Sequence, residues 1–362
     1  MSNGGSNTVT VLDLVNLRQD RTVAVGRNPS SLAANPVRNE IYVVNTQSGT
    51  VSVIDAENNR LAATIAVHRL PSHIAVDPTG HRAYVVNSGS NTVSVLDLDR
   101  RREMAVAGTG EQPGVARVSP DGRSLLVTNR GSNSVSIFEI APYGAGSAQS
   151  QPRLRAAFPD CPGASDAVIL PDSSKAFIAC SGGHQVMAVS LAAASGSWAA
   201  KQNPALLTDH MLTLLDVGKS PVHLAMKPDG GEIFVSNQGS DSISEISTWT
   251  NEVGGTYLIG SNPAYGIVSR DNSMLWVANS GADSIALYSI DDGRPVPIGI
   301  HTGSGPDVLA FSDDEHLLLA ADAHSGDVAV VRTRGEGPAL FTILPAGISP
   351  NAIAIKAIQK KP

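Results

Sequence analysis

Seven side chains of this 362-residue chain have types and positions from which a binding or reactive site is built: His73, Arg117, Arg130, Asp166, His223, Gln238 and Tyr265. Two imidazoles, a carboxylate and an arginine converging on a polar cup hold an anionic ligand, a metal ion or a haem-like group. His73, Asp166, His223 and Tyr265 each stand two residues into a short β-rich run that opens at Pro71, Ala164, Pro221 or Pro263. Arg130 and Gln238 each follow an Asn that ends another such run, and Arg117 lies deeper in its own run. No three of the seven are neighbours in sequence, so spacing does not enforce the three or more ligands a zinc or copper centre needs. The competing reading makes each a side chain hydrogen-bonded to adjacent backbone, as buried polar groups usually are. The metal and cofactor therefore stay unknown, and no residue is assigned as catalytic.

The elements that position these residues repeat. The segment YVVNSGSNTVSVLD, Tyr84 to Asp97, recurs from Tyr42, Leu126, Phe177, Phe234, Trp276 and Leu318, and its tail recurs at the N-terminus. The strand-ending position is held by Asn3, Asn45, Asn87, Asn129, Cys180, Asn237, Asn279 and Asp322, in steps of 42, 42, 42, 51, 57, 42 and 43 residues. Within a repeat, His73–Val76, Ala83–Val86 and Thr92–Leu98 read as short strands, with a weaker fourth at Met104–Ala107. No apolar stripe of helical period has useful length. Four strands in about 42 residues, repeated around a ring, predict an all-β chain folded as a β-propeller.

Inner strands begin after Pro29, Pro71, Pro113, Ala164, Pro221, Pro263, Pro306 and Pro350, which predicts eight four-stranded blades, with seven as the alternative. The last blade is expected to close by pairing Asn351–Ile358 with Thr8–Leu14 and Thr22–Val25, which removes exposed sheet edges. The second strand of that blade would already be ending at Ser2-Asn3, which implies truncation upstream, with removal of a leader as one route. The whole of residues 1–362 reads as one propeller domain. Two segments break the period, 141–155 and 192–216, and are expected to be loops on the face opposite the mouth, as partner-docking surfaces or tolerated insertions.

The strand-end motif, YVVN at Tyr42–Asn45 and Tyr84–Asn87, LVTN at Leu126–Asn129 and WVAN at Trp276–Asn279, resembles that of the YVTN family of β-propeller repeats. Relatives of that kind include surface-layer proteins, lactonases and haem-binding propellers, so function must come from a site. Propellers of the seven-bladed lactonase type carry Pro-Arg-His at the start of an inner strand and Asn-Glu at the end of the next. The resemblance implies that Arg holds an anion and Glu transfers protons. Here the matching positions read Pro221-Val222-His223 and Asn237-Gln238, and the family's second His is missing near Gly114–Val115. The expectation is a non-catalytic scaffold that binds a small ligand or a protein at the channel mouth. The alternative is a lactonase-like hydrolase, or a metal- or haem-binding propeller.

Cys161 lies in the loop that enters the fourth blade and Cys180 takes its strand-end position, which predicts a disulfide between them, with reduced core thiols as the alternative. A disulfide points to a periplasmic or extracellular location, although MSNGGSNTVTV has neither the basic start nor the apolar core of a signal peptide. The net charge is −7 with 16% charged residues and no basic run, which argues against nucleic acid as a partner. No apolar stretch approaches the ~18 residues of a membrane helix. The Asp291-Asp292-Gly293 and Asp313-Asp314-Glu315 clusters fall at turns, where Asp and Gly are favoured for backbone reasons. Oligomeric state is not legible.

Overall fold

In the computed structural model, residues 1–141, 151–194, 197–335 and 337–358 are described. They form eight four-stranded antiparallel sheets arranged as blades in a ring. Blade 1 comprises Pro29–Ala34, Glu40–Asn45, Thr50–Asp55 and Arg60–Ala66, from the channel outward. Blades 2 to 7 follow with inner strands Pro71–Val76, Pro113–Val118, Ala164–Ile169, Pro221–Met226, Pro263–Val268 and Pro306–Phe311. Blade 8 joins the chain ends: Pro350–Ala352 pairs with Ser2–Asn3, which pairs with Thr8–Asp13, and Arg18–Ala24 is outermost. Ser2–Asn3 therefore intervenes between the two segments that the sequence was expected to pair directly. Beside it lies a cleft of about 680 Å³ lined by Val11, Leu14, Leu32, Ile353 and Ile355.

The strand-end Asn is a structural device. In blades 1, 2, 3, 5 and 8 its Nδ2 donates to hydroxyls five and seven residues on, as Asn45 does to Thr50 (3.1 Å) and Ser52 (2.9 Å). This closes the hairpin between the second and third strands from inside, where an unpaired amide would be costly. The turn that follows clamps the next blade. Asn7, Asn91, Asn133, Asp241 and Asp283 have left-handed backbone, which Asn and Asp tolerate. Each accepts an N–H from the loop entering the next inner strand, as Asn91 does from Gln112 at 2.9 Å. Between blades, alternating apolar residues form the core: Tyr42, Val44, Val51 and Val53 meet Ile74, Val85 and Leu96 of the next blade.

Three blades depart from this pattern: in blade 6, Asn279 Nδ2 donates to the Ile259 carbonyl at 3.2 Å, and blades 4 and 7 replace the Asn. In blade 4, Cys180 is disulfide-bonded to Cys161 with a Cα–Cα distance of 4.8 Å, and both residues are fully buried. In blade 7, Asp322 takes the Asn position and Asp327 the first hydroxyl position, so two acceptors face each other where others have donor and acceptor. Asp322 Oδ2 accepts from the N–H of Gly303 (3.0 Å) and of Ala329 (3.1 Å), and Oδ1 has no partner among the described residues. Burial first, then the Asp327 carboxylate, push Asp322 up to about 7. The folded state thus holds a proton the unfolded chain has released, and stability falls as pH rises from about 4 to about 7. Asp322→Asn restores the donor and is expected to raise the melting temperature at about pH 8, with a smaller gain near pH 5. Equal melting temperatures of the two proteins at both pH values would contradict this.

Regions 141–155 and 192–216 were expected to be loops, yet fourth strands begin inside them, at Arg153–Phe158 in blade 3 and His210–Asp216 in blade 4. Residues 142–150 lie outside the described part. The second region also holds a short helix, Trp198–Gln202, and a 3-10 turn, Pro204–Leu207. A bidentate pair ties the two insertions together: Arg155 donates to both oxygens of the buried Asp209, at 2.5 and 2.7 Å. Among the described residues no helix is long and apolar enough to cross a membrane.

Candidate functional site

Each inner strand opens after a residue with φ between +46° and +68°, which turns the chain sharply into the channel. Side chains two and four residues into these strands therefore project from the channel wall. Five of the seven candidates meet there in a continuous belt across blades 2 to 6. Arg117 of blade 3 is its hub. Its guanidinium donates to Asp166 Oδ1 (2.8 Å) in blade 4, to His73 Nε2 (2.9 Å) in blade 2 and to the Ala167 carbonyl (2.9 Å). Asp166 is 5% exposed and accepts on both oxygens, from Arg117 and the Ala167 N–H on one and from His223 Nδ1 (2.9 Å) and the Leu224 N–H (3.1 Å) on the other. His223 Nε2 lies 3.0 Å from the Gly266 carbonyl, and its ring stacks on Tyr265 of blade 6 with centroids 3.8 Å apart.

These contacts fix the chemistry of each group. Both neighbours of His223 are acceptors, Asp166 Oδ2 at Nδ1 and the Gly266 carbonyl at Nε2. His73 is the reverse case, since Arg117 can only donate and the imidazole Nε2 must accept. Burial, then the Arg117 charge, hold the His73 pKa down at about 3, so it is neutral at pH 7. Asp166 is held well below the usual carboxylate range by Arg117 and His223, which overcome the opposing effect of its own burial. The belt thus sets the Arg117 guanidinium and the His223 ring around one carboxylate, with a neutral imidazole and a tyrosine beside them.

Arg130 and Gln238 do not join the belt. Both lie on the rim, at the ends of second strands in blades 3 and 5, and their side chains have no hydrogen-bond or ion-pair partner among the described residues. Arg130 is exposed and lies over Gly114, where a Cβ would sit 3.3 Å from its Cδ. Around the mouth, short polar side chains tie neighbouring inner strands together: Asn351 donates to the Pro29 carbonyl (2.9 Å), Ser72 to that of Gly114 (3.0 Å) and Ser165 to that of Pro221 (2.9 Å). Residue types alone did not reveal the backbone partners of the belt, the Ala167 and Gly266 carbonyls and the Leu224 amide, because only the ring brings them there.

Gln238 cannot transfer protons, both ring nitrogens of His223 face acceptors, and the Asp166 oxygens each already accept two hydrogen bonds. A metal or haem iron would need an imidazole lone pair, and that of His73, at Nε2, is already taken by the Arg117 guanidinium. Among the described residues no group of three His, Cys, Asp or Glu could hold a metal ion. The belt does not fit such a group.

Solved structures with the same ring include a putative 6-phosphogluconolactonase from Bacteroides fragilis, at 18% identity over 82% of this chain and 95% of that one, with a TM-score of 0.61. Hydrazine synthase of Kuenenia stuttgartiensis matches at 20% identity over 80% and 91%, TM-score 0.58. The dihydro-heme d1 dehydrogenase NirN matches at 15% over 95% and 69%, TM-score 0.65. At such identities the likeness shows the fold alone. No curated protein matches the chain. A family model described as the lactonase, 7-bladed beta-propeller, matches residues 1–248 and 256–342. With eight blades where that description has seven, the chain belongs to the lactonase family of β-propellers.

Proposed function

We propose that this protein is a non-catalytic member of its family, a rigid ring that binds a small organic anion at the channel mouth. The observation that carries this reading is the saturation of the belt. Every acid–base group on the channel wall of blades 2 to 5 is already engaged within the wall, whereas Arg130 stands unpaired on the rim above it. An exposed guanidinium attracts a carboxylate or phosphate and offers it a bidentate contact. Gln238 adds an amide across the mouth. The disulfide supports a periplasmic or extracellular location.

The test is titration calorimetry with gluconate and 6-phosphogluconate, chosen as sugar acids of the class that a lactonase releases. Binding is expected, tighter for the phosphorylated compound, and weakened about tenfold or more by Arg130→Ala, the scale of one lost charged hydrogen bond. Binding unaffected by Arg130→Ala, or none for either compound, would overturn the reading.

A further inference from the structure

Among the described residues no strand pairs with the outer side of any blade's outermost strand, and such an edge pairs with another chain unless charge, proline or a bulge blunts it. Every outer strand carries a register shift, of two residues in blade 6 and of one in the other seven, the extra residue in blade 7 being Phe341, so a bulge does not set blade 7 apart. Charge does. Seven of them contain at least one Asp, Glu or Arg, from three in Arg18–Ala24 of blade 8 to one in Glu252–Leu258 of blade 5. The eighth, Ala339–Pro345 of blade 7, reads Ala-Leu-Phe-Thr-Ile-Leu-Pro and contains none. Its Leu340, Phe341 and Ile343 are 38, 45 and 44% exposed.

The strand is also self-complementary. Antiparallel pairing of two copies about Thr342 sets Thr342 against Thr342, Phe341 against Ile343 and Leu340 against Leu344. Aromatic against β-branched and Thr against Thr are favourable cross-strand pairs, and no like charges oppose. We propose that the outer strand of blade 7 is a homodimerisation edge, at which a second copy of this chain pairs antiparallel about a two-fold axis through Thr342. The contact uses the same patch on both copies and closes on itself, so it yields a dimer and no filament. The two blades then form one continuous eight-stranded sheet, and the apolar side chains of the edge leave water.

Sedimentation velocity on the full chain is expected to give twice the 37.5 kDa monomer mass. Thr342→Lys places two ammonium groups together at the axis and is expected to yield monomer with an unchanged melting temperature, which separates lost pairing from lost folding. Thr342→Cys introduces the one free thiol, since both native cysteines are in the disulfide. On oxidation it is expected to link two chains across the axis, where Cα atoms of an antiparallel pair approach to about 5 Å. Leu61→Cys, on the outer strand of blade 1, should not link. A monomeric wild type, a dimer that survives Thr342→Lys, or equal cross-linking by the two cysteine variants would each overturn the proposal.

Discussion

Asp166→Ala is expected to destabilise the protein by about 3 kcal/mol, read as a fall in the urea midpoint with unchanged slope. The residue is buried and is the single anion between Arg117 and His223, so its loss leaves the Arg117 guanidinium without its carboxylate and His223 Nδ1 without its acceptor. The cost lies at the lower end of the range for broken buried pairs because Arg117 is 32% exposed and water screens part of its charge. A loss below about 1 kcal/mol would show that the belt is a surface network of little consequence. The same geometry gives an acid limit. His73 is held neutral down to about pH 3, against an ordinary value of 6.5, so the unfolded chain binds a proton there that the folded one does not. Stability therefore falls as pH drops below about 6.5, and Asp166 adds to the loss below about pH 4, where the unfolded carboxylate takes up its proton.

Replacing Cys161 and Cys180 together by alanine is expected to cost about 3 kcal/mol, the chain-entropy value for a closed loop of about 20 residues. The pair spans 19 positions and ties the loop entering blade 4 to the strand end that in other blades is held by Asn hydrogen bonds. Here no such bond exists to take over, because the position seven residues after Cys180 is Met187. The double variant and the reduced wild type should melt at the same temperature, below that of the oxidised protein. Equal melting of oxidised and reduced wild type would show the bridge to be energetically idle.

The ring was legible in the sequence because its framework residues sit at fixed intervals and act locally: an Asn at the end of the second strand in six blades and a proline at the start of the inner strand in seven. Blade 8 was legible in outline and wrong in detail, since a two-residue strand is too short to carry an alternating pattern. The positions of His73, Asp166, His223 and Tyr265 on the channel wall followed from the same intervals. Their connection through Arg117 did not, because Arg117 sits past the register shift of its inner strand and its partners come from two other blades. Arg130 and Gln238 were grouped with the belt on residue type, and the structure separates them as rim residues.

The claim that this ring binds without catalysis is tested most directly by following δ-lactone hydrolysis, including 6-phosphogluconolactone, against the spontaneous rate in matched buffer. The account expects no rate above the uncatalysed reaction for the wild type and for His223→Ala alike. Turnover by the wild type that His223→Ala abolishes would contradict it.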